Sequence, residues 1–319
     1  MNNIINTCVI GQNYTKNILE EILKKNKRIN VKAVCVRNKI SSTSYKIFYS
    51  WKKMINNYHP HLVIIGTPPK IQSKVIKYLI FKKISFFAQK PLTYNYKDSK
   101  KICSLIEKSK TIKTAIDLNF LELEPIILFK KKIKKNPPSK NSEVVIKWLF
   151  NSFKYKKNHW KNNKEMGGGL YYNFGFHLFS IIISLFGDVK VVRVKKDLLY
   201  DVVELKAKRK FNIKVFFSNN YKKKNIFSIK YSSINSTIYE LLNTSKNYHG
   251  NFSIIKNKKK IFNQYKNSRN INARAVASAR ILNKLINIIK KKKLNSRHHN
   301  LIISKKVHII INDIYKFIK

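Results

Sequence analysis

Within the apolar run from Gly167 to Gly187, GGGLYYNFGFHLFSIIISLFG, Asn173 and His177 are the side chains best suited to do chemistry. A helix over this run places them on one face, one turn above the other. The expectation is a buried imidazole with a buried amide neighbour, beside a glycine-lined backbone. An imidazole exchanges its proton near neutral pH, and an amide can orient that ring or a ligand hydroxyl. Two other readings stay open for the same residues. A histidine inside an apolar helix can be a core residue whose hydrogen bonds are met internally. Leu170 to Phe186 also approaches the length of a membrane span, but its polar first half and its isolation favour the core helix of a soluble protein.

The surrounding elements must position that helix. Ile4 to Ile10 is a short apolar run ended by Gly11, and Lys16 to Lys25 reads as a helix with Ile18, Leu19, Ile22 and Leu23 on one face. Val31 to Val36 and Leu62 to Gly66 read as strands, the second followed by the breakers Thr67, Pro68 and Pro69. Helix Ile71 to Phe81, strand Ile84 to Ala88, helix Tyr96 to Ser109 and strand Thr111 to Asp117 continue the alternation. Apolar strands separated by helices predict a parallel sheet covered on both faces. Such a sheet binds ligands at the carboxyl ends of its strands, where Gly11, Arg37, Thr67 and Lys90 fall.

After Asp117 the pattern changes. A helical segment from Pro125 to Lys135 leads through Pro137 and Pro138 to a strand at Val144 to Leu149. Beyond the Gly167 helix, Val189 to Val194, Val202 to Ala207, Ile213 to Phe217, Ile226 to Tyr231 and Ile238 to Leu242 read as strands without intervening helices. Helices at Ala273 to Ile289 and Lys306 to Phe317 follow. The fold class is α/β, with a parallel-sheet domain over 1–118 and an α+β domain with a largely antiparallel open sheet over 119–319.

A chain of 319 residues, 44% hydrophobic and 12% aromatic, can build two cored domains and is not disordered in composition. Its formal charge of +52, from 67 Lys+Arg against 15 Asp+Glu, points on its face to a polyanion partner. The basic residues are spread through nearly every segment, however, and are mostly Lys alongside a general excess of Asn and Ile. All three have A/T-rich codons, so base-composition drift accounts for the excess. No zinc knuckle, RNP motif or helix-turn-helix pattern is present, so no specific nucleic acid and no membrane is expected as partner. Cys8, Cys35 and Cys103 are odd in number, widely spaced and set in apolar runs, which predicts no disulfide framework, no metal site and a reduced, cytoplasmic setting.

The order of motifs resembles the glucose-fructose oxidoreductase, inositol dehydrogenase and MocA family (Gfo/Idh/MocA) over essentially the full length. The resemblance is carried by the strand ending in Thr67-Pro68-Pro69, by Gln89-Lys90-Pro91, and by Trp160 followed by Gly167-Gly168-Gly169, Asn173, Gly175 and His177. It implies a Rossmann-like first domain holding NAD or NADP, a sugar-like substrate and, by inheritance, an oligomer. The implied cofactor-facing residues are Gly11, Asn13, Tyr14, Arg37, Thr67, Pro68, Gln72, Gln89 and Lys90. Hydride transfer from a secondary alcohol also needs a base for the hydroxyl proton, a role the resemblance gives to His177. Lys90 would hydrogen-bond the reacting oxygen, and Asn173 would orient the substrate hydroxyl or the imidazole.

This chain departs from the family pattern at several of these places. The dinucleotide turn reads Gly11-Gln12-Asn13-Tyr14-Thr15-Lys16, with only its first glycine kept. Val36-Arg37 follows the second strand where NAD users place an acid, which favours the 2′-phosphate of NADP. Gln89, Asn173 and Ser180 stand where the family carries carboxylates. Two functions are therefore expected in competition: an NAD(P)-dependent oxidoreductase of a sugar, nucleotide sugar or polyol, and a catalytically impaired homologue that binds or regulates.

Overall fold

The computed structural model describes residues 4–12, 22–23, 25–38, 45–140, 142–152, 159–264, 272–290 and 297–318. Most of the expected helix at Lys16 to Lys25 lies outside them; Ile22 and Leu23 are helical and buried.

Short runs of apolar residues make the first sheet. Strands β1 (Ile5–Ile10), β2 (Ile29–Cys35), β3 (Lys46–Phe48), β4 (Leu62–Ile65), β5 (Ser85–Gln89) and β6 (Thr114–Asp117) lie side by side in the order β6-β5-β4-β1-β2-β3, every pair parallel. All residues of β4 are fully buried, as expected for a central strand covered on both faces. Helices α1 (Trp51–Tyr58), α2 (Pro69–Phe81) and α3 (Tyr96–Lys108) connect the strands. β3 and α1 are additions to the expected alternation. Only Met54 and Ile55 of α1 are buried, and its start is marked by Ser50, whose hydroxyl accepts from the Lys53 N–H.

The second sheet has eight strands. After α4 (Glu124–Lys135) come β7 (Glu143–Leu149) and α5 (Phe176–Phe186), then β8 (Val189–Lys196), β9 (Asp201–Ala207), β10 (Asn212–Ser218), β11 (Ile226–Ser232), β12 (Ile238–Asn243), β13 (Ser253–Lys256) and β14 (Lys259–Asn263). Their order is β14-β13-β12-β11-β7-β10-β9-β8, and every pair is antiparallel except β7 with β10. The helix of the Gly167 segment packs on this sheet through Tyr171 on Phe217 and Phe186 on Phe211, with centroids 5.9 and 5.7 Å apart. Lys164–Phe186 is long and apolar enough to cross a membrane, but 72% of that window is buried inside the chain, as in a core helix.

The chain returns to the first sheet late. By contact it divides into one unit of Met1–Asn119, Asn163–Gly168 and Arg274–Lys305, and another of Phe120–Asn162, Gly169–Ala273 and Lys306–Lys319. The first unit thus opens with one long segment ending at Asn119 and is completed by two later excursions of the chain. The longer excursion has a clear cause. Helix α6 (Ala273–Ile289) buries Ile281, Leu282, Leu285 and Ile286 completely in the core that holds Val9, Val34, Ile64 and Phe87. Each such side chain contributes about 1.5–3 kcal/mol. β15 (His298–His299) then pairs with β6 to complete seven strands, before α7 (Leu301–Ile318).

Candidate active site

In the first unit the carboxyl ends of β1 and β4 lie together, because Ile10 is in register with Ile65. Gly66 donates its N–H to the Ile10 carbonyl at 2.7 Å, and Gly11 donates to Cys35 at 3.0 Å. Gly11 has φ +125°, and a Cβ built on it lies 2.5 Å from the Gly66 carbonyl oxygen. The one glycine kept from the expected turn is therefore required by both conformation and space. Asn13, Tyr14 and Lys16 lie outside the described residues. Arg37 is exposed just past β2, after the buried Val36.

Thr67 and Pro68 follow β4. The Pro68 carbonyl accepts from the N–H groups of Ile71 and Gln72 at 3.0 and 2.9 Å, which starts α2 with Pro69 in its first turn. The Thr67 hydroxyl is buried with no hydrogen-bond partner. At the end of β5, Gln72 holds the Gln89-Lys90-Pro91 turn from beneath. Its side-chain amide donates to the carbonyls of Gln89, Pro91 and Leu92 at 2.7, 2.8 and 3.1 Å. The Lys90–Pro91 peptide is cis, and Lys90 is half-buried.

Gln89 is in register with Asp117 at the end of β6 and donates to its Oδ2 at 2.5 Å. Asp117 is fully buried and also accepts from the Ser278 hydroxyl of α6, at 3.1 Å on Oδ1 and 2.9 Å on Oδ2. An amide suits position 89, since the carboxylate is supplied by the neighbouring strand.

Asn119 escaped the sequence reasoning. It is 1% exposed, and neither its amide oxygen nor its nitrogen has a partner. An Asn two residues beyond a strand was the available signal. Since β4, β5 and β6 are neighbours, Thr67, Lys90 and Asn119 occupy three successive strand ends. Buried polar atoms left unmet at the carboxyl edge of a parallel sheet suit a bound polar group, and Gly11 allows close backbone approach. These residues fit a dinucleotide.

In the second unit His177 lies in the first turn of α5 and is 9% exposed, with its Nδ1 buried. Its ring packs on Phe120 with centroids 4.7 Å apart. Phe120 packs in turn on His249 at 4.5 Å and on Trp148 at 5.8 Å. Asn173 is placed otherwise. Tyr171–Gly175 form a π-helical turn ahead of α5, where the sequence read as one plain helix. Asn173 is half-buried rather than buried. It lines an open cleft of about 470 Å³ with Asn151, Ser152, Lys161, Asn162, Phe174, Asn219 and Asn220, and His177 is not among the lining residues. Ser180 is fully buried and donates to the His177 carbonyl at 2.7 Å, so its hydroxyl is engaged within its own helix. Trp148, His249 and the additional asparagines were not singled out from the sequence. They come from separate strands and loops that only folding brings together.

The glycine run is structural at its first member. Gly167 has φ +85°, and a Cβ there would meet Pro69 at 2.8 Å and Tyr94 at 2.9 Å. Among the described residues no group of three or more His, Cys, Asp or Glu could hold a metal ion.

A sequence model described as the oxidoreductase family, NAD-binding Rossmann fold, matches residues 5–115, and one for that family's C-terminal alpha/beta domain matches residues 143–252. Two curated relatives, both uncharacterised oxidoreductases of Schizosaccharomyces pombe, are 24% identical over 167 residues and 25% identical over 170 residues. These matches cover 52% and 53% of this chain but 45% of each relative, so the chain spans about half the length of the curated relatives it matches. Among solved structures, the WlbA dehydrogenase of Bordetella pertussis, in complex with NADH and UDP-GlcNAcA, is similar with a TM-score of 0.80 at 13% identity, over 98% of this chain and 96% of that one. The D-galactose-1-dehydrogenase protein of Rhizobium etli is similar with a TM-score of 0.78 at 12% identity, over 99% of this chain and 95% of that one. At such identities these structures speak to fold alone. The two family matches together take in more than half of the sequence, on the two sheets described above, and the chain belongs to the Gfo/Idh/MocA oxidoreductase family.

Proposed function

We propose that this chain is an NAD(P)-dependent oxidoreductase acting on a secondary alcohol or ketone of a sugar, nucleotide sugar or polyol. The observation that carries this reading is the set of Thr67, Lys90 and Asn119 on successive strand ends, with the Lys90 turn held by Gln72 and by the Gln89–Asp117 hydrogen bond. Gly11, Thr67, Asn119 and the Lys90 turn would hold the cofactor, whose nicotinamide supplies or accepts the hydride. The Lys90 ammonium is proposed to hydrogen-bond the substrate oxygen and to stabilise negative charge developing on it. His177 is proposed as the base that takes the hydroxyl proton, and Asn173 as a residue that orients a substrate hydroxyl. Arg37, exposed after a neutral residue, supports NADP over NAD. Three buried free cysteines support a reducing, cytoplasmic compartment.

A second reading is a binding or regulatory homologue without turnover. It is favoured by the placement of Asn173 on the cleft without His177, and by the packing of the His177 ring on Phe120. Titration with NADPH and NADH separates the two readings. If neither binds by about 1 mM, the upper range of ordinary enzyme affinities, the oxidoreductase reading fails. With a turned-over substrate in hand, Lys90→Met and His177→Ala should each lower kcat by about 100-fold or more. Cofactor affinity should stay close to that of the unaltered chain, and unchanged rates would remove the roles given to these residues.

A further inference from the structure

In the first unit, α1 and α2 carry a row of rings and cations in alternation. Trp51 packs edge-on against Tyr78 with centroids 5.2 Å apart, and the Tyr78 hydroxyl donates to Asn56 at 2.6 Å, which fixes the ring. The Lys52 ammonium lies 5.7 Å from the centre of the Trp51 ring and 6.0 Å from that of Tyr78. That of Lys82 lies 5.7 Å from Tyr78 and 5.9 Å from Phe81. The row thus runs Trp51, Lys52, Tyr78, Lys82, Phe81. Phe81 is 77% exposed, and both lysines are exposed. From Lys46 to Lys83 the sequence has no Asp or Glu, and the buried Asp98 of α3 is held by Lys77. Codon drift explains how many lysines the chain has, but it does not set two of them between three rings.

Rings that alternate with ammonium groups match a polymer in which bases alternate with phosphates, since every base offers a π face and every phosphate an anion. A duplex fits less well because its base faces are already stacked. A lipid surface also fits less well. Adsorption to lipid needs a continuous apolar face, whereas Val75, Ile76 and Leu79 of α2 are buried within the chain and Phe81 is followed by the exposed Lys82 and Lys83. We propose that this surface binds single-stranded nucleic acid without reading its sequence. Phe81 stacks on a base, Trp51 and Tyr78 flank the strand, and Lys52 and Lys82 contact phosphates. Neither a ring face nor an ammonium distinguishes ribose from deoxyribose, so the occupant is an unpaired polynucleotide of either kind. Phe81 and Lys82 precede β5 and the Lys90 turn follows it, so an occupant here leaves the carboxyl edge of the sheet open to a cofactor. The inference is independent of the oxidoreductase reading.

The test is fluorescence anisotropy of a labelled thymidylate oligomer of about 15 nucleotides, titrated with the full chain over a range of salt concentrations around 0.15 M. Phe81→Leu, which changes no charge, should weaken binding about tenfold at every salt concentration and give wild-type circular dichroism. Phe81→Trp should retain the affinity. Lys52→Gln and Lys82→Gln should each reduce the slope of log affinity against log salt by about 0.7, the share of one phosphate contact on a single strand. Lys195→Gln, on the exposed edge strand β8, should leave both affinity and slope unchanged, which separates this surface from bulk charge. Binding of a duplex of the same length should be insensitive to Phe81→Leu. The inference is overturned if the oligomer binds more weakly than about 0.1 mM, the weak limit of nonspecific association. It is equally overturned if Phe81→Leu binds like the unaltered chain, if that variant weakens duplex binding as much, or if Lys195→Gln acts like Lys82→Gln. Capture of the unaltered chain, but not of Phe81→Leu, by phosphatidylserine vesicles in the absence of oligomer binding would assign the surface to lipid and overturn it too.

Discussion

Gln89 donates its amide to the buried Asp117 carboxylate, so a glutamate at 89 would set two acids about as close as that 2.5 Å hydrogen bond. Two carboxylates cannot both ionise at that separation, and one would keep its proton to higher pH in the folded chain than in the unfolded one. Gln89→Glu is therefore expected to be tolerated below the ordinary glutamate pKa of about 4.3 and to lose stability as pH rises past it, by about 1–3 kcal/mol at neutral pH. Urea unfolding of both proteins at acid and neutral pH measures this, and a difference independent of pH would contradict it. His308 has the opposite sign. It is fully buried against Tyr172 and Phe176, with centroids 5.5 and 5.0 Å away, and neither ring nitrogen has a hydrogen-bond partner. Burial pushes its pKa from 6.5 down to about 3. The unfolded chain takes up this proton first, so the contribution is complete above about pH 6.5 and is lost toward pH 3, by up to about 1.4 kcal/mol per pH unit. His308→Leu should flatten the fall in melting temperature between neutral pH and pH 5; an unchanged slope would clear His308 of acid sensitivity.

Among the elements, α6 matters out of proportion to its place in the sequence. Ile281, Leu282, Leu285 and Ile286 complete the core of the first sheet, and Ser278 ties the helix to Asp117 of β6. A fragment of residues 1–119 is expected to show no cooperative thermal transition, whereas the full chain should show one; a sharp transition in the fragment would refute this. Most of the fold was legible because continuous apolar strands and amphipathic helices announce themselves by period. β1, β4 and β5, the turn after β4 and the antiparallel run from β8 to β12 are of this kind. The elements that escaped have weak local signals. β3 is three residues long, and β15 is a pair of histidines whose pairing is set by β6. The β13–β14 hairpin turns on Asn257 and Lys258, both at positive φ, without the glycine that usually marks such a turn. The π turn at Tyr171–Gly175 is also silent in the sequence, where the run reads as a plain apolar helix.

Over the whole molecule, the formal charge of +52 needs no single partner. Part of it serves the fold, since Lys190, Arg193, Lys195 and Lys196 sit on β8 at the open edge of the second sheet and discourage pairing with another chain. The split of the first core between distant parts of the chain has a different consequence, which lies in time. β6 ends at Asp117 and α6 begins at Ala273, so a ribosome adds about 150 residues between them. At ordinary rates of synthesis that interval lasts on the order of ten seconds. Throughout it, the parallel sheet has left the exit tunnel without the helix that seals its apolar face, and the nascent chain is open to holdase chaperones and to self-association until α6 arrives.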